Sequence, residues 1–170
     1  EDYEGAIEDI TRVIEIDSDE FSYSFRAAIR YDIGDFKEAV SDYSKAIEIN
    51  PNDSELFKSL GDSKLLLDDF TGAITDYSKA IEIDPKNFEA ISGKSAAKYS
   101  LEDFEGAIIE AKKAIKINPK YSISYYYLAY SKYELGDFSG AIKDVKKAIK
   151  NNPEDDRFYY LLSLSKYELE

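Results

Sequence analysis

The 170-residue sequence contains no cysteine, no histidine and no methionine, and only four prolines and eight glycines. Without cysteine there can be no disulfide, thiolate metal site or cysteine nucleophile. Without histidine the chain lacks the commonest general base and the commonest metal ligand. Residue 1 is Glu rather than Met, so the sequence is expected to be a segment of something longer. No stretch approaches the roughly 18 consecutive apolar residues of a membrane span. The opening Glu1-Asp2-Tyr3-Glu4 has neither the basic start nor the apolar run of a signal peptide. Absence of cysteine suits a reducing, cytoplasmic compartment, although it is compatible with export. There are no strand signals to precede a phosphate-binding loop. The carboxylate pairs Asp68-Asp69 and Asp155-Asp156 fall in turns, where capping and solubility account for them. The chain is expected to carry no catalysis, no cofactor and no metal.

What is present is a soluble-protein composition, 44% apolar and 34% charged. The formal charge of −13 is unevenly spread: residues 1–85 hold 22 acids and 8 bases, residues 86–170 hold 13 acids and 14 bases. A net acidic chain repels nucleic acid unless a basic patch overrides the average.

Internal repetition organises the sequence. Pro51, Pro85, Pro119 and Pro153 stand 34 residues apart, and Phe36, Phe70, Phe104 and Phe138 keep the same step. So do Ala39, Ala73, Ala107 and Ala141, and again Ala46, Ala80, Ala114 and Ala148. Within one period Ala73, Ile74, Tyr77, Ala80 and Ile81 form a single stripe at helical spacing. Asp35, Asp69, Asp103 and Asp137 precede such segments as caps, and the residue before each proline ends them. Asp53, Asn87, Ser122 and Asp155 or Asp156 are the expected caps of the helix after each proline. Each period is thus a helical hairpin that cannot bury its apolar stripes alone. Its alanine columns mark where helices approach closely.

A 34-residue unit reading Phe57, Leu60-Gly61, Ala73, Tyr77, Ala80, Pro85 resembles the tetratricopeptide repeat. The resemblance covers essentially the whole chain. It implies an all-α, right-handed superhelix of hairpins whose first helices line a concave groove for a partner peptide or helix. The expected division is a second helix at 1–17, repeats at 18–51, 52–85, 86–119 and 120–153, and a first helix at 154–170. That makes four hairpins, two half units and ten helices.

Where the family usually has a tyrosine late in the first helix, this chain has Arg30, Lys64, Lys98, Lys132 and Lys166. The second helices carry Asp9, Asp42, Asp76, Glu110 and Asp144. Pairing each base with the acid of the preceding unit satisfies all five, whereas pairing within a unit leaves Asp9 and Lys166 alone. The first arrangement is the expected one.

By the family's register the groove positions include Lys58 and Asp62, then Tyr99, then Ile123, Tyr126, Tyr130 and Tyr133, then Arg157, Tyr160 and Tyr167. Nine of the fifteen tyrosines lie between Tyr121 and Tyr167. Tyrosine offers large contact area with few rotors to freeze, which suits a recognition surface. The same rings could instead pack on an adjoining unit, and for Tyr159, Leu161 and Leu162 that is the expectation. The clamp by which co-chaperones hold the acidic tails of heat-shock chaperones is missing: its positions read Ser24 with Ala28, Lys58 with Asp62, and Ser92 with Ala96. Lys112, Lys113, Lys116, Lys143, Lys146, Lys147 and Lys150 form a basic face without interleaved aromatics, expected to be solvated rather than bound to nucleic acid or membrane. The function implied is a protein-interaction scaffold. The alternative is a self-assembling segment stacking through its open ends.

Overall fold

The computed structural model describes residues 2–170, which form ten α-helices with no strand among them. Glu1, counted in the first half unit, lies outside the described residues. The helices are α1 (Tyr3–Ile16), α2 (Glu20–Asp32), α3 (Phe36–Ile49), α4 (Ser54–Leu65), α5 (Phe70–Ile83), α6 (Phe88–Ser100), α7 (Phe104–Ile117), α8 (Ser122–Glu134), α9 (Phe138–Asn151) and α10 (Asp156–Tyr167). They divide into two compact units, Glu1–Pro85 with α1–α5 and Lys86–Glu170 with α6–α10. None is long and apolar enough to cross a membrane.

The caps follow the sequence with two corrections. Asp2, Asp69, Asp103 and Asp137 each accept a hydrogen bond from the backbone N–H of a glycine three residues on. A Cβ on Gly72, Gly106 or Gly140 would lie on top of that carboxylate. The corresponding residue after Asp35 is Glu38, and Asp35 makes no side-chain cap. The second correction concerns Ser122, which is the buried first residue of α8 rather than its cap; Tyr121 holds that place without a side-chain bond.

Each hairpin turn contains one residue with left-handed backbone: Gly34 (φ 84°), Asp68 (60°), Glu102 (61°) and Gly136 (80°). Glycine takes this conformation freely, aspartate tolerates it, and glutamate gains nothing from it. Relief of about 1–2 kcal/mol, partly offset by glycine's unfolded-state entropy, should leave Glu102→Gly more stable by about 0.5–1 kcal/mol. A thermal melt checks this; an unchanged or lower midpoint would contradict it.

The core of the first unit gathers Ala27, Ala39, Tyr43, Ala46, Leu56 and Leu60. That of the second gathers Tyr125, Ala129, Val145, Ala148, Phe158 and Leu161. All eight alanines of the two repeating columns are completely buried. Gly61 allows another close approach, since a Cβ there would stand 2.8 Å from the buried Tyr77 ring. That ring cannot yield easily, because its hydroxyl donates to Asp62 Oδ1 at 2.7 Å.

Candidate partner-binding site

In the second unit α6, α8 and α10 place aromatic side chains at matching register. Tyr99 of α6 lies 4.8 Å, centroid to centroid, from Tyr130 of α8. Along α8 the step of four residues sets Tyr126 and Tyr130 5.5 Å apart, and the step of three sets Tyr130 and Tyr133 6.2 Å apart. Tyr126 then reaches Phe158 of α10 at 5.5 Å. These are separations at which rings attract beyond their buried area. The result is a continuous aromatic run, half-buried on its inner side.

Arg157 caps the run. Its guanidinium lies over the Tyr126 ring at 5.5 Å and donates to both Asp155 oxygens, at 2.9 and 2.6 Å. Asp155 is also the N-cap of α10, so one carboxylate anchors the helix and orients the arginine. The Asp155 carboxyl is lowered by Arg157, and the guanidinium is held charged by Asp155. Tyr126, Tyr130, Asp156, Arg157 and Tyr160 surround an open cleft of about 360 Å³. Burial, with Tyr130 and Tyr127 nearby, pushes the Tyr126 hydroxyl up to about 12. Tyr99 is raised by burial and then by Tyr130 and Glu134, and its hydroxyl donates to Glu134 Oε1 at 3.1 Å. These phenols stay protonated at neutral pH and act as donors.

The remaining sequence-derived positions fall in different surroundings. Ile123 packs against the second unit's core, and Tyr133 meets Phe138 at 5.4 Å. Tyr160 is 63% exposed at the cleft mouth, while Tyr167, 76% exposed, lies outside the ring cluster. Lys58 and Asp62 belong to the first unit and pair with each other at 3.1 Å. They line a cleft of about 180 Å³ with Ala28, Tyr31, Asp32, Tyr43 and Ser59. Register reasoning missed Tyr127, one residue off the groove stripe, which meets the rings of Tyr99 and Tyr126. It also missed Asp156, although the cap at Asp155 places Asp156 beside the cleft.

Leu161 corrects an expectation. It is 1% exposed, packed with Phe158 and Val145 inside its own unit rather than awaiting a further repeat. The seven lysines of the basic face are all exposed; Lys113 is tied to Glu110 and Lys147 to Asp144.

The ion-pair ladder runs the other way from the expected pairing. Arg30 bonds Asp42 at 2.6 Å, Lys64 reaches Asp76 at 2.6 Å, and Lys132 bonds Asp144 at 2.7 Å, each within its own hairpin. The base sits in the last turn of the first helix and the acid 12 residues on, directly across the turn. Lys98 instead takes Asp103 at 2.7 Å, over the bare backbone of Gly106, while Glu110 turns to Lys113. Arg26 adds an unforeseen second arm, holding both Asp42 oxygens at 2.7 and 2.8 Å.

Tetratricopeptide repeat models match residues 21–53, 59–87 and 126–169. The chain belongs to the tetratricopeptide repeat family. No curated protein matches it in sequence. Among solved structures it is similar to MamA, with a TM-score of 0.82, 22% identity and 90% of each chain covered. It is similar to YrrB, described as having an unusual peptide-binding site, with a TM-score of 0.77, 18% identity, and 94% of this chain and 82% of that one covered. The first repeat domain of Spaghetti (RPAP3), solved with the HSP90 peptide SRMEEVD, gives a TM-score of 0.66 at 21% identity, over 68% of this chain and 92% of that one.

Proposed function

We propose that the chain is a non-catalytic protein-interaction scaffold that seats a peptide or helix of a partner protein against Tyr99, Tyr126, Tyr130, Tyr133, Arg157 and Tyr160. The observation that carries this reading is the ring run spanning three helices and ending in the Tyr126–Arg157–Tyr160 cleft. Tyrosine and arginine dominate binding energy at protein interfaces because they combine apolar area with directed polar contacts. Here Asp155 fixes the arginine before a partner arrives, which lowers the ordering cost of binding. Peptide binding by YrrB and Spaghetti, similar in fold, is consistent with this use of the family scaffold. An acidic C-terminal tail is a poor fit. Lys58, the one clamp position with suitable charge, faces Asp62 at 3.1 Å.

Tyr160→Ala tests the reading with little risk to the fold, because this side chain is largely exposed. Peptides selected from a displayed library on the wild-type chain should bind Tyr160→Ala at least about tenfold more weakly, about 1.4 kcal/mol. Arg157→Ala should behave likewise. Recovery of no peptide, or of peptides that bind both variants undiminished, would contradict the proposal.

A further inference from the structure

A second surface, away from the tyrosine run, is carried by α7 and α9. From sequence alone its lysines are expected to be solvated, but the structure groups them in a way that solvation does not require. On each helix the alanine side is buried, at Ala107, Ala111 and Ala114 and at Ala141 and Ala148, and the lysines occupy the opposite arc. α7 packs against α6 and α8, and α9 against α8 and α10, so the arc stays exposed with neighbours on both sides of each helix. The two helices adjoin at their C-terminal ends. Asn151 Nδ2 donates to the Pro119 carbonyl at 3.2 Å, and Ile115 packs on the cluster that holds Val145 and Ala148. The lysines therefore form one patch rather than two.

The patch is short of counter-charge. Lys113 is held by Glu110 and Lys147 by Asp144, both at 3.1 Å. Lys112, Lys116, Lys143, Lys146 and Lys150 have no ion pair among the described residues, and Glu105 is the only exposed acid on either helix. Lys116 and Lys150 gain from the dipole at a helix C-terminus, but Lys112–Lys116 and Lys146–Lys150 are like-charge pairs four residues apart, which weaken a helix. The matching pairs of α3 and α5 are Ser44–Glu48 and Ser78–Glu82, free of that repulsion. Ile109 sits at the centre of the α7 arc, 55% exposed, one turn before Lys112 and Lys113. Neither helix carries an aromatic ring after its first residue, and all seven cations are lysines. Stacking platforms for unpaired bases and the arginine forks that read base edges are both missing.

We propose that the α7–α9 face docks on an anionic membrane surface, with its lysines among the lipid phosphates and Ile109 entering the boundary between headgroups and acyl chains. An apolar side chain flanked by lysines is the composition of an interfacial anchor. Lysine stems can lie along the apolar layer while their ammonium groups stay at the phosphates. Each lysine near an anionic leaflet strengthens binding about fivefold, and the contribution fades within a Debye length of about 8 Å at physiological salt. This inference goes beyond the tyrosine cleft, and either can fail without the other.

Flotation of the 170-residue chain with lipid vesicles reads the binding directly. Vesicles of phosphatidylcholine and phosphatidylserine, about 7:3, should carry the chain up the gradient, and pure phosphatidylcholine vesicles should not. Binding should fall as salt is raised. Lys112→Glu combined with Lys146→Glu, both at exposed positions, should weaken it at least about tenfold. Ile109→Ser, which leaves the charge unchanged, should weaken it at least about threefold. A labelled DNA duplex is the second probe and should bind more weakly than the mixed vesicles, because backbone phosphates take up the lysines but not the isoleucine. No flotation with the mixed vesicles, or equal flotation with both kinds, would overturn the proposal. So would tighter binding to the duplex, or flotation that either the lysine reversals or Ile109→Ser leaves unchanged.

Discussion

Asp42→Ala should destabilise the protein by about 3–5 kcal/mol, the cost of breaking a buried ion pair by removing one partner. Asp42 is 1% exposed and accepts from Arg26 Nε and Nη2 and from Arg30 Nη1, at 2.6–2.8 Å. Truncation strands two guanidinium groups, of which Arg26 has a side chain only 9% exposed and cannot turn to water. Arg26 also donates to Thr11 of α1 at 2.8 Å, so its loosening would weaken the α1–α2 contact as well. Asp76→Ala supplies the internal comparison. Asp76 has Lys64 alone at 2.6 Å, in a charge contact outside hydrogen-bonding geometry, and that lysine is 23% exposed. Burial raises the Asp76 carboxyl above its ordinary 3.8, with Lys64 opposing. A raised carboxyl stabilises the fold most below pH 3.8 and loses that contribution as pH rises, so at neutral pH its removal should cost less than that of Asp42. Urea melts with unchanged slope would register both as shifts in midpoint. Asp42→Ala costing no more than Asp76→Ala would refute the assignment.

Ala107→Leu should lower stability by about 1–3 kcal/mol or more through overpacking. Ala107 is completely buried in α7, and its carbonyl accepts from Ser95 Oγ of α6 at 2.8 Å. A leucine there would have to push α6 and α7 apart and break that bond. Lys112→Leu, on the exposed face of the same helix, controls for the change in residue type. Its midpoint should stay near that of the wild type, while Ala107→Leu falls by about 2–4 °C per kcal/mol. Equal melting points for the two variants would contradict close helix packing at the alanine columns.

Much of this fold was legible because its signals are local and repeated. Phe36, Phe70, Phe104 and Phe138, spotted at constant spacing, are the first residues of α3, α5, α7 and α9. Asp69, Asp103 and Asp137 before them cap through a glycine three residues on, whereas Asp35, followed by Glu38, makes no side-chain cap. The tyrosine positions on α8 needed only helical periodicity. Distances between helices were less legible. Arg30, Lys64, Lys98 and Lys132 each had two acids compatible with the spacing, and satisfying the greatest number of pairs chose the wrong one. Reach across the turn decides the pairing, and no sequence count contains it. Leu161 was misplaced for a related reason: a helix at the edge of an array has an inner face, and Leu161 lies on it against Phe158 and Val145. Asp155 could not be ranked above Asp156 as a cap until the bond to Arg157 N was in place.

The central claim is that the second unit's tyrosine run seats a partner segment, and ring-selective NMR of the tyrosines with a library-selected peptide tests it most directly. Signals of Tyr126, Tyr130 and Tyr160 should move on titration, while those of Tyr43 and Tyr77, buried in the first unit, stay fixed. Saturable binding that leaves those three rings unmoved, with the largest changes at Tyr23, Tyr31 or Tyr43, would contradict it.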